Sequence, residues 1–353
     1  MNRFKSIVVA AIVVAVATAF SIPAPDTSAQ SSASLSIVPK KNYTVEAGKS
    51  IKDTLVIRNL DEEKTLDLRL RVVDFTFRDD TGTPKLMLEE NAPQTTWSLK
   101  PFITLPETVS IGPKASKTLD MSVAIPASQG AGSYYSAILY SSGAPDGGNV
   151  GLSASGVTLA FVSVPGDVNE ELKLENFGAY NIAEAGKPAG YTFFTADKPK
   201  TMAYTLKNGG NVTEAPVGSI TLRHMFGAET VIDDVNPNKS LALVGQSRTF
   251  TACIKLQEQK VDFNGSKSES KTCAEPDLWP GIYTASLNVY YGQNGNNTNE
   301  LVGSAAFVYL PWWFVILFLI VAAFAAFGIW RLVRKIKGGR KSGNLKRSLR
   351  RRR

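Results

Sequence analysis

This chain of 353 residues offers few side chains for chemistry: one histidine, His224, and two cysteines, Cys253 and Cys273. A single imidazole removes most mechanisms that need a histidine base or a histidine metal cluster, and nothing else in the composition replaces it. The segment GLSASG at 151–156 superficially resembles a nucleophile elbow, but its spacing is wrong, no helix pattern follows, and His224 lies in a distant strand-like stretch. Ser268 and Lys271 form an S-x-x-K within a polar loop that cannot desolvate lysine into a base. LPET at 105–108 begins like a sortase signal, yet Val109 follows where glycine is needed, and the string lies about 200 residues before the hydrophobic span; it reads as a strand end. Acidic residues cluster at Asp61/Glu62/Glu63, Asp79/Asp80, Glu89/Glu90 and Asp233/Asp234. The RDDTGTP run lacks the regular oxygen spacing of a calcium loop, so all four read as turns. No phosphate-cradling glycine loop opens a helix and no zinc spacing exists, so no catalytic, cofactor or metal residue is expected.

The two cysteines remain, 20 residues apart. They flank the polar stretch NGSKSESK at 264–271, and in an oxidising compartment Cys253 and Cys273 are expected to pair, closing a floppy excursion and contributing about 3 kcal/mol in the chain-entropy model. Separate free thiols are the alternative. Trp97, Tyr135, Trp279 and Tyr291 could stack on sugars or fill a sandwich core. Sequons at Asn42, Asn211, Asn264 and Asn296 matter only in a glycosylating host.

Both ends of the chain carry addresses. Arg3 and Lys5 precede an uncharged run of 14 residues, 7–20, and then a Pro- and Ser-containing stretch, the layout of a secretory signal with cleavage expected between Ala29 and Gln30; an uncleaved anchor is the alternative. At the other end, 311–330 is 20 residues without charge, long enough to cross a bilayer as one helix. Trp312, Trp313 and Trp330 suit its two interfaces, and Arg331, Arg334 and Lys335 open a basic tail, 331–353, that the positive-inside rule places in the cytoplasm. The tail could touch anionic lipid.

That tail holds 12 of the 39 Lys and Arg residues and no acid. Between Gln30 and Leu310 there are 25 basic and 30 acidic residues, so the body is about −5 and the net +8 comes from one end. A nucleic-acid partner is therefore not expected.

The elements between the ends are strands. Leu66, Leu68, Leu70 and Val72 alternate with Asp67, Arg69 and Arg71 at period two, and similar runs recur at 54–57, 118–125, 134–140, 157–164, 202–206, 219–222, 248–256 and 283–290. Turn clusters such as APDGGN at 144–149 and KNGGN at 207–211 separate them. The halves also repeat one another in order. LVIRN ending at Asn59 matches YTLKN ending at Asn208, SKTLDMSV from Ser116 matches SRTFTACI from Ser247, and GSYYSAIL from Gly132 matches GIYTASLN from Gly281, each with Tyr two residues after Gly. The expected fold is mainly β: Ig-like sandwiches at 30–168 and 169–310, followed by one transmembrane helix. The second sandwich carries about 18 extra residues between its second and third matches, where both cysteines fall.

The succession of signal, SLSIVPKKNYTVEAGKSIKDTLVIRN, the ITLPETVSIGPKASKTLDMSVAIP strand pair, SYYSAILY, a second sandwich, a helix and a basic tail resembles the bacterial WxL-interacting surface proteins (DUF916) over nearly the whole chain. The resemblance implies a first Ig-like domain that binds peptidoglycan, a second that binds a host or partner protein, and association with other wall proteins. The LVGQSRTF segment and the cysteine-bearing insertion depart from the pattern, and no ligand residue carries over. The expectation is a single-pass plasma-membrane protein at the cell surface, without catalysis. Its partners would be wall peptidoglycan or surface proteins. The alternative is a membrane-tethered assembly or chaperone module, which should show a long unpaired apolar edge in the first sandwich.

Overall fold

A computed structural model describes residues 35–77, 83–89, 94–142, 155–183, 188–263, 266–292 and 298–349. The signal segment with Ala29 and Gln30, the Asp79/Asp80 pair, Glu90, the turn at 144–149, residues 151–154, the sequons Asn264 and Asn296, and the last four residues lie outside them.

The first half contributes β1 (Leu35–Ile37), β2 (Lys40–Thr44), β3 (Ser50–Asn59), β4 (Leu66–Val73), β5 (Phe75–Phe77), β6 (Pro84–Leu86), β7 (Ile103–Thr104), β8 (Thr108–Ile111), β9 (Ser116–Ala124), β10 (Gly132–Ser141) and β11 (Ser155–Val164). The second contributes β12 (Leu172–Asn181), β13 (Gly190–Thr192), β14 (Phe194–Thr195), β15 (Thr201–Asn208), β16 (Val217–His224), β17 (Glu229–Ile232), β18 (Ser247–Cys253), β19 (Leu256–Phe263), β20 (Ser266–Cys273), β21 (Gly281–Tyr291) and β22 (Asn299–Tyr309). A helix, α1 (Trp312–Leu349), ends the chain.

The two halves are wound alike. A sheet β1-β3-β9-β7 faces a sheet β2-β11-β10-β4-β8 in the first, and a sheet β13-β12-β15-β18 faces a sheet β14-β22-β21-β16-β17 in the second. β2 lies parallel to β11 just as β14 lies parallel to β22, while the other ladders of these sheets are antiparallel. Each sandwich is filled by the inward residues of its facing sheets: Leu55, Ile57, Leu68, Met121 and Ile138 in the first, Tyr204, Leu222, Phe250, Leu287 and Phe307 in the second.

The sequence repeats have structural reasons. Asn59 and Asn208 end equivalent strands and are buried. The Asn59 Nδ2 donates to the carbonyls of Lys64, Ile111 and Gly112, and its Oδ1 accepts from the Asp61 N–H. Likewise Asn208 Nδ2 donates to Val212 and Ala242, and its Oδ1 accepts from the Gly210 N–H. One side-chain amide thus satisfies loop carbonyls that would otherwise be stranded in a dry interior. Asn208→Asp keeps the shape and removes the donor, so it is expected to destabilise by about 2–3 kcal/mol, read as a lowered midpoint in thermal denaturation. An unchanged midpoint would show that the amide does not hold these loops.

The third repeat is a pair of tyrosine corners. The hydroxyl of Tyr134 donates to the Gly130 carbonyl and that of Tyr283 to the Trp279 carbonyl, both at 2.9 Å and both four residues upstream. Gly132 and Gly281 open these strands at φ +146° and +152°, where a Cβ would strike the Asn211 carbonyl oxygen and His224 Nε2 respectively.

The cysteines are joined, Cys253 to Cys273. What they close is not the floppy loop expected from NGSKSESK: β19 and β20 form a regular antiparallel hairpin of eight paired positions, from Leu256↔Cys273 to Phe263↔Ser266. Polar composition hid a strand pair whose backbone bonds do not need apolar side chains. Ser268 and Lys271 accordingly lie on a strand, opposite Val261 and Glu258. The bridge sits at the root of this hairpin. Reduction is therefore expected to raise amide exchange in β19 and β20 while β21 and β22 stay protected, with a global loss of at most about 3 kcal/mol. Equal deprotection of all four strands would assign the bridge a global role instead.

The apolar helix begins at Trp312, one residue later than the span read from sequence. Residues Trp312–Lys335 make 24 residues long and apolar enough to cross a membrane, and the helix runs on through the basic segment to Leu349. Along it Arg334 lies 4.1 Å from the Trp330 ring centroid and Arg331 5.3 Å from that of Phe327.

Candidate binding cleft between the two sandwiches

β10 is buried on both faces, and this joins the halves. Its inward residues Tyr134, Ile138 and Tyr140 fill the first sandwich, while Tyr135, Ala137 and Leu139 point out into a separate cluster with Val73, Phe75, Phe161 and Leu243 of the second sandwich. Tyr135 is the hub. Its ring stacks on Trp97 at 6.0 Å and meets Phe75 and Phe161 at 5.3 and 5.9 Å; its hydroxyl donates to the Val244 carbonyl and accepts from Gln246 Nε2. Polar bonds extend the seam: Ser133 N–H donates to the Asn211 carbonyl, Asn211 Nδ2 to the Ala131 carbonyl, and Thr213 N–H to Ser133 Oγ. Arg248, 4.3 Å from the Phe77 ring, donates to the Leu241 carbonyl. Where the chain carries a sequon at Asn211, the side chain is occupied in this seam.

Beside the seam opens a cleft of about 500 Å³. One wall is β2, where the chain leaves one sheet of the first sandwich and joins the other. Alternation turns Lys41 and Tyr43 inward, and both bond Asp53 Oδ2, at 2.5 and 2.6 Å. The Lys41 ammonium first, and then the Tyr43 hydroxyl, hold the Asp53 carboxyl down at about 2, and burial together with Asp53 pushes the Tyr43 hydroxyl up. This clamp leaves Lys40, Asn42 and Thr44 as the row presented to the cleft. The opposite wall is Thr213, Glu214 and Lys239 from the second sandwich, with Ser133, Phe161 and Ser163 between.

Charges in the cleft are arranged unequally. Lys40 Nζ lies 4.9 Å from the Phe161 ring centroid, and burial pulls its pKa down. Lys239 occupies the left-handed region at φ +47°, an unfavourable setting for a lysine. Neither ammonium has a carboxylate partner among the described residues. Glu214 is 1 % exposed; its Oε2 accepts from the Gly292 N–H at 3.2 Å and its Oε1 has no partner among the described residues. Burial, and secondarily the Glu170 charge, push its carboxyl up to about 7. The cleft can therefore receive a ligand that carries carboxylates for the lysines and hydroxyl or amide groups for the Ser, Thr and Asn side chains.

Residues singled out in the sequence go elsewhere. His224 ends β16, buried against Tyr283 with Nε2 3.3 Å from the Pro280 carbonyl. Tyr135 and Tyr291 are packed, Trp97 is half-buried in the seam, and Trp279 is exposed. Leu105–Glu107 links β7 to β8. Among the described residues no three His, Cys, Asp or Glu side chains come together. Lys40, Glu214 and Lys239 were missed because they lie far apart in sequence and form no motif together; the one hint was an acid in the short run TEAP with no turn glycine.

In the first sandwich β11 is paired on both sides, by β10 and β2, and the edges are the short β1, β7, β2 and β8, so no long apolar edge is open there among the described residues. In the second, β22 pairs β14 only at Val308 and Tyr309, leaving Asn299–Phe307 without a strand partner on the side away from β21 among the described residues.

No family model and no curated protein matches the chain. Among solved structures it is similar to the class 5 fimbriae chaperone CfaA, at 13% identity over 78% of this chain and 99% of that one with a TM-score of 0.30. It is also similar to the E. coli chaperone DraB, at 12% over 79% and 98% with 0.31, and to a chain of the Salmonella enterica SafA pilin in complex with the SafB chaperone, at 8% over 78% and 96% with 0.31.

Proposed function

We propose that the chain is a non-catalytic bacterial surface protein, held by α1 in the plasma membrane with its sandwiches outside and its basic end in the cytoplasm, and that it binds wall peptidoglycan in the inter-domain cleft. The observation that carries this reading is a pair of lysines, Lys40 and Lys239, without a carboxylate partner among the described residues, that both line a cleft of about 500 Å³ with hydroxyl and amide groups. Stem peptides supply carboxylates for such cations and glycan strands supply hydroxyls for such side chains. The positive-inside rule supports the orientation. A protein partner is the second reading and would use a different place: an extended segment could add as a strand to the edge of β22, which has no strand partner along Asn299–Phe307 among the described residues.

The test is co-sedimentation of the full chain in detergent with purified sacculi. Lys40→Glu and Lys239→Glu change exposed or rim positions and should fold normally, and each is expected to weaken binding about tenfold, near 1.4 kcal/mol, with reduced salt sensitivity. Binding that is indifferent to both substitutions would remove the cleft as the site, and binding to surface proteins but not to sacculi would replace polymer by protein as the partner.

A further inference from the structure

The far end of the second sandwich has a second cavity with the opposite chemistry. A groove of about 630 Å³ lies between the sandwich and the first turn of α1, and no Asp, Glu, Lys or Arg lines it. Its walls are Met225, Phe226, Trp279, Ile282, Val308 and Phe314, over His224. These are not residues tucked under a surface. Phe226 is 81 % and Trp279 75 % exposed, and Met225 and Ile282 are more than half exposed. Phe193 and Phe194, also exposed, join the same end, because β14 pairs with the last two residues of β22 and the Phe193 carbonyl accepts from the Val308 N–H. A soluble surface seldom gathers so many large apolar side chains at one end.

The chain itself says what lies against them. Between the end of β22 at Tyr309 and the start of α1 at Trp312 there are only Leu310 and Pro311. Leu310 is held by its N–H to the Thr195 carbonyl, and Pro311 is buried. No slack linker separates the sandwich from the membrane-spanning helix, and Phe314 of that helix is itself a wall of the groove. Exposed Trp312 and Trp313 mark the interfacial level at the helix start.

We propose that this end of the second sandwich is a lipid-docking surface. Met225, Phe226 and Trp279, with Phe193 and Phe194 beside them, insert into the interfacial layer of the bilayer that α1 crosses, and lipid acyl chains fill the groove between sandwich and helix. Two contacts, one helix and one apolar patch, then fix how the rigid pair of sandwiches stands on the membrane. The inference rests on the membrane-anchor reading above, and the test separates the two.

The full chain is reconstituted in phosphatidylcholine–phosphatidylglycerol vesicles containing lipids brominated near the top of the acyl chain, and tryptophan fluorescence is read in two variants. One keeps Trp97 and Trp279, with W312F, W313F and W330F; the other keeps Trp97 and Trp312, with W279F, W313F and W330F. Trp97 sits in the seam at the opposite end of the second sandwich and gives a constant background in both. The Trp279 emission is expected to fall by about half, as the Trp312 emission does, and Phe226→Asp is expected to restore most of it. Quenching of Trp312 without Trp279 would overturn the docking surface and leave the anchor standing. Quenching of neither would overturn both.

Discussion

Tyr135→Ala is expected to cost about 3–5 kcal/mol and to split a single unfolding transition into two. The side chain is fully buried, in contact with three aromatic rings, and it lies in an apolar cluster to which both sandwiches contribute. Truncation leaves a cavity walled by Trp97, Phe75 and Phe161, whose positions are set by two different sheets and the loop after β6, so collapse cannot fill it. It also strands the Gln246 amide that donated to the hydroxyl. The three rings belong to the first half but lie outside its sandwich core, and Leu241, Leu243 and Val244 of the second half pack in the same cluster, so the deficit should fall largely on the coupling of the halves: the wild-type chain unfolds as one unit, and the variant shows separate denaturant midpoints for the two sandwiches. Tyr135→Phe keeps the ring and loses only the hydroxyl bonds, and is expected to cost about 1 kcal/mol with one transition retained. One cooperative transition in Tyr135→Ala, shifted by less than about 1 kcal/mol, would mean that the polar seam around Ser133, Asn211 and Thr213 holds the halves together without this cluster.

How much of this could be read in advance depends on the periodicity of each segment. β4, with alternating Leu and Asp or Arg, was plain because one face is wet and one is dry. The repeats Asn59/Asn208 and Tyr134/Tyr283 were visible as letters, and their meaning, amide-bound loops and tyrosine corners, follows once the strands that end and begin there are known. β12 was missed because a bulge between Leu174 and Asn176 shifts its alternation by one residue. β22 was missed because Gly303, Ser304, Ala305 and Ala306 give little contrast between its faces. The cleft was illegible for a different reason. Lys40 and Glu214 are brought together by a strand that changes sheets and by the docking of one sandwich on another, and neither event leaves a local pattern. The doubly apolar strand SYYSAILY did carry a trace of the docking, since a strand with one wet face alternates and this one does not.

Glu214→Gln is expected to make the protein more stable above pH 7 and to leave it nearly unchanged below pH 4.5. In the folded chain, burial and then Glu170 raise this carboxyl from its ordinary 4.5 to about 7, the Gly292 N–H opposing them weakly. Between those two values the unfolded chain has released the proton and the folded chain still holds it. The folded state therefore binds more protons, and stability falls as pH rises through that window. The whole loss is about 3 kcal/mol, complete about one unit above pH 7, and Gln, which never ionises, escapes it. Asp53 works the other way in a separate window: its carboxyl is depressed from 3.8 to about 2, so its contribution is present above 3.8 and lost as pH falls towards 2. The two slopes do not overlap, and a denaturation series from pH 4.5 to 8 isolates Glu214. Ionisation also places a negative charge in the cleft beside Lys40 and Lys239, where it competes with an anionic ligand, so binding to sacculi should weaken above pH 7 in the wild-type chain and not in Glu214→Gln. If the two proteins have parallel stability curves across that range, the carboxylate is already ionised in the folded chain, and water or a lysine must reach the Oε1 left without a partner.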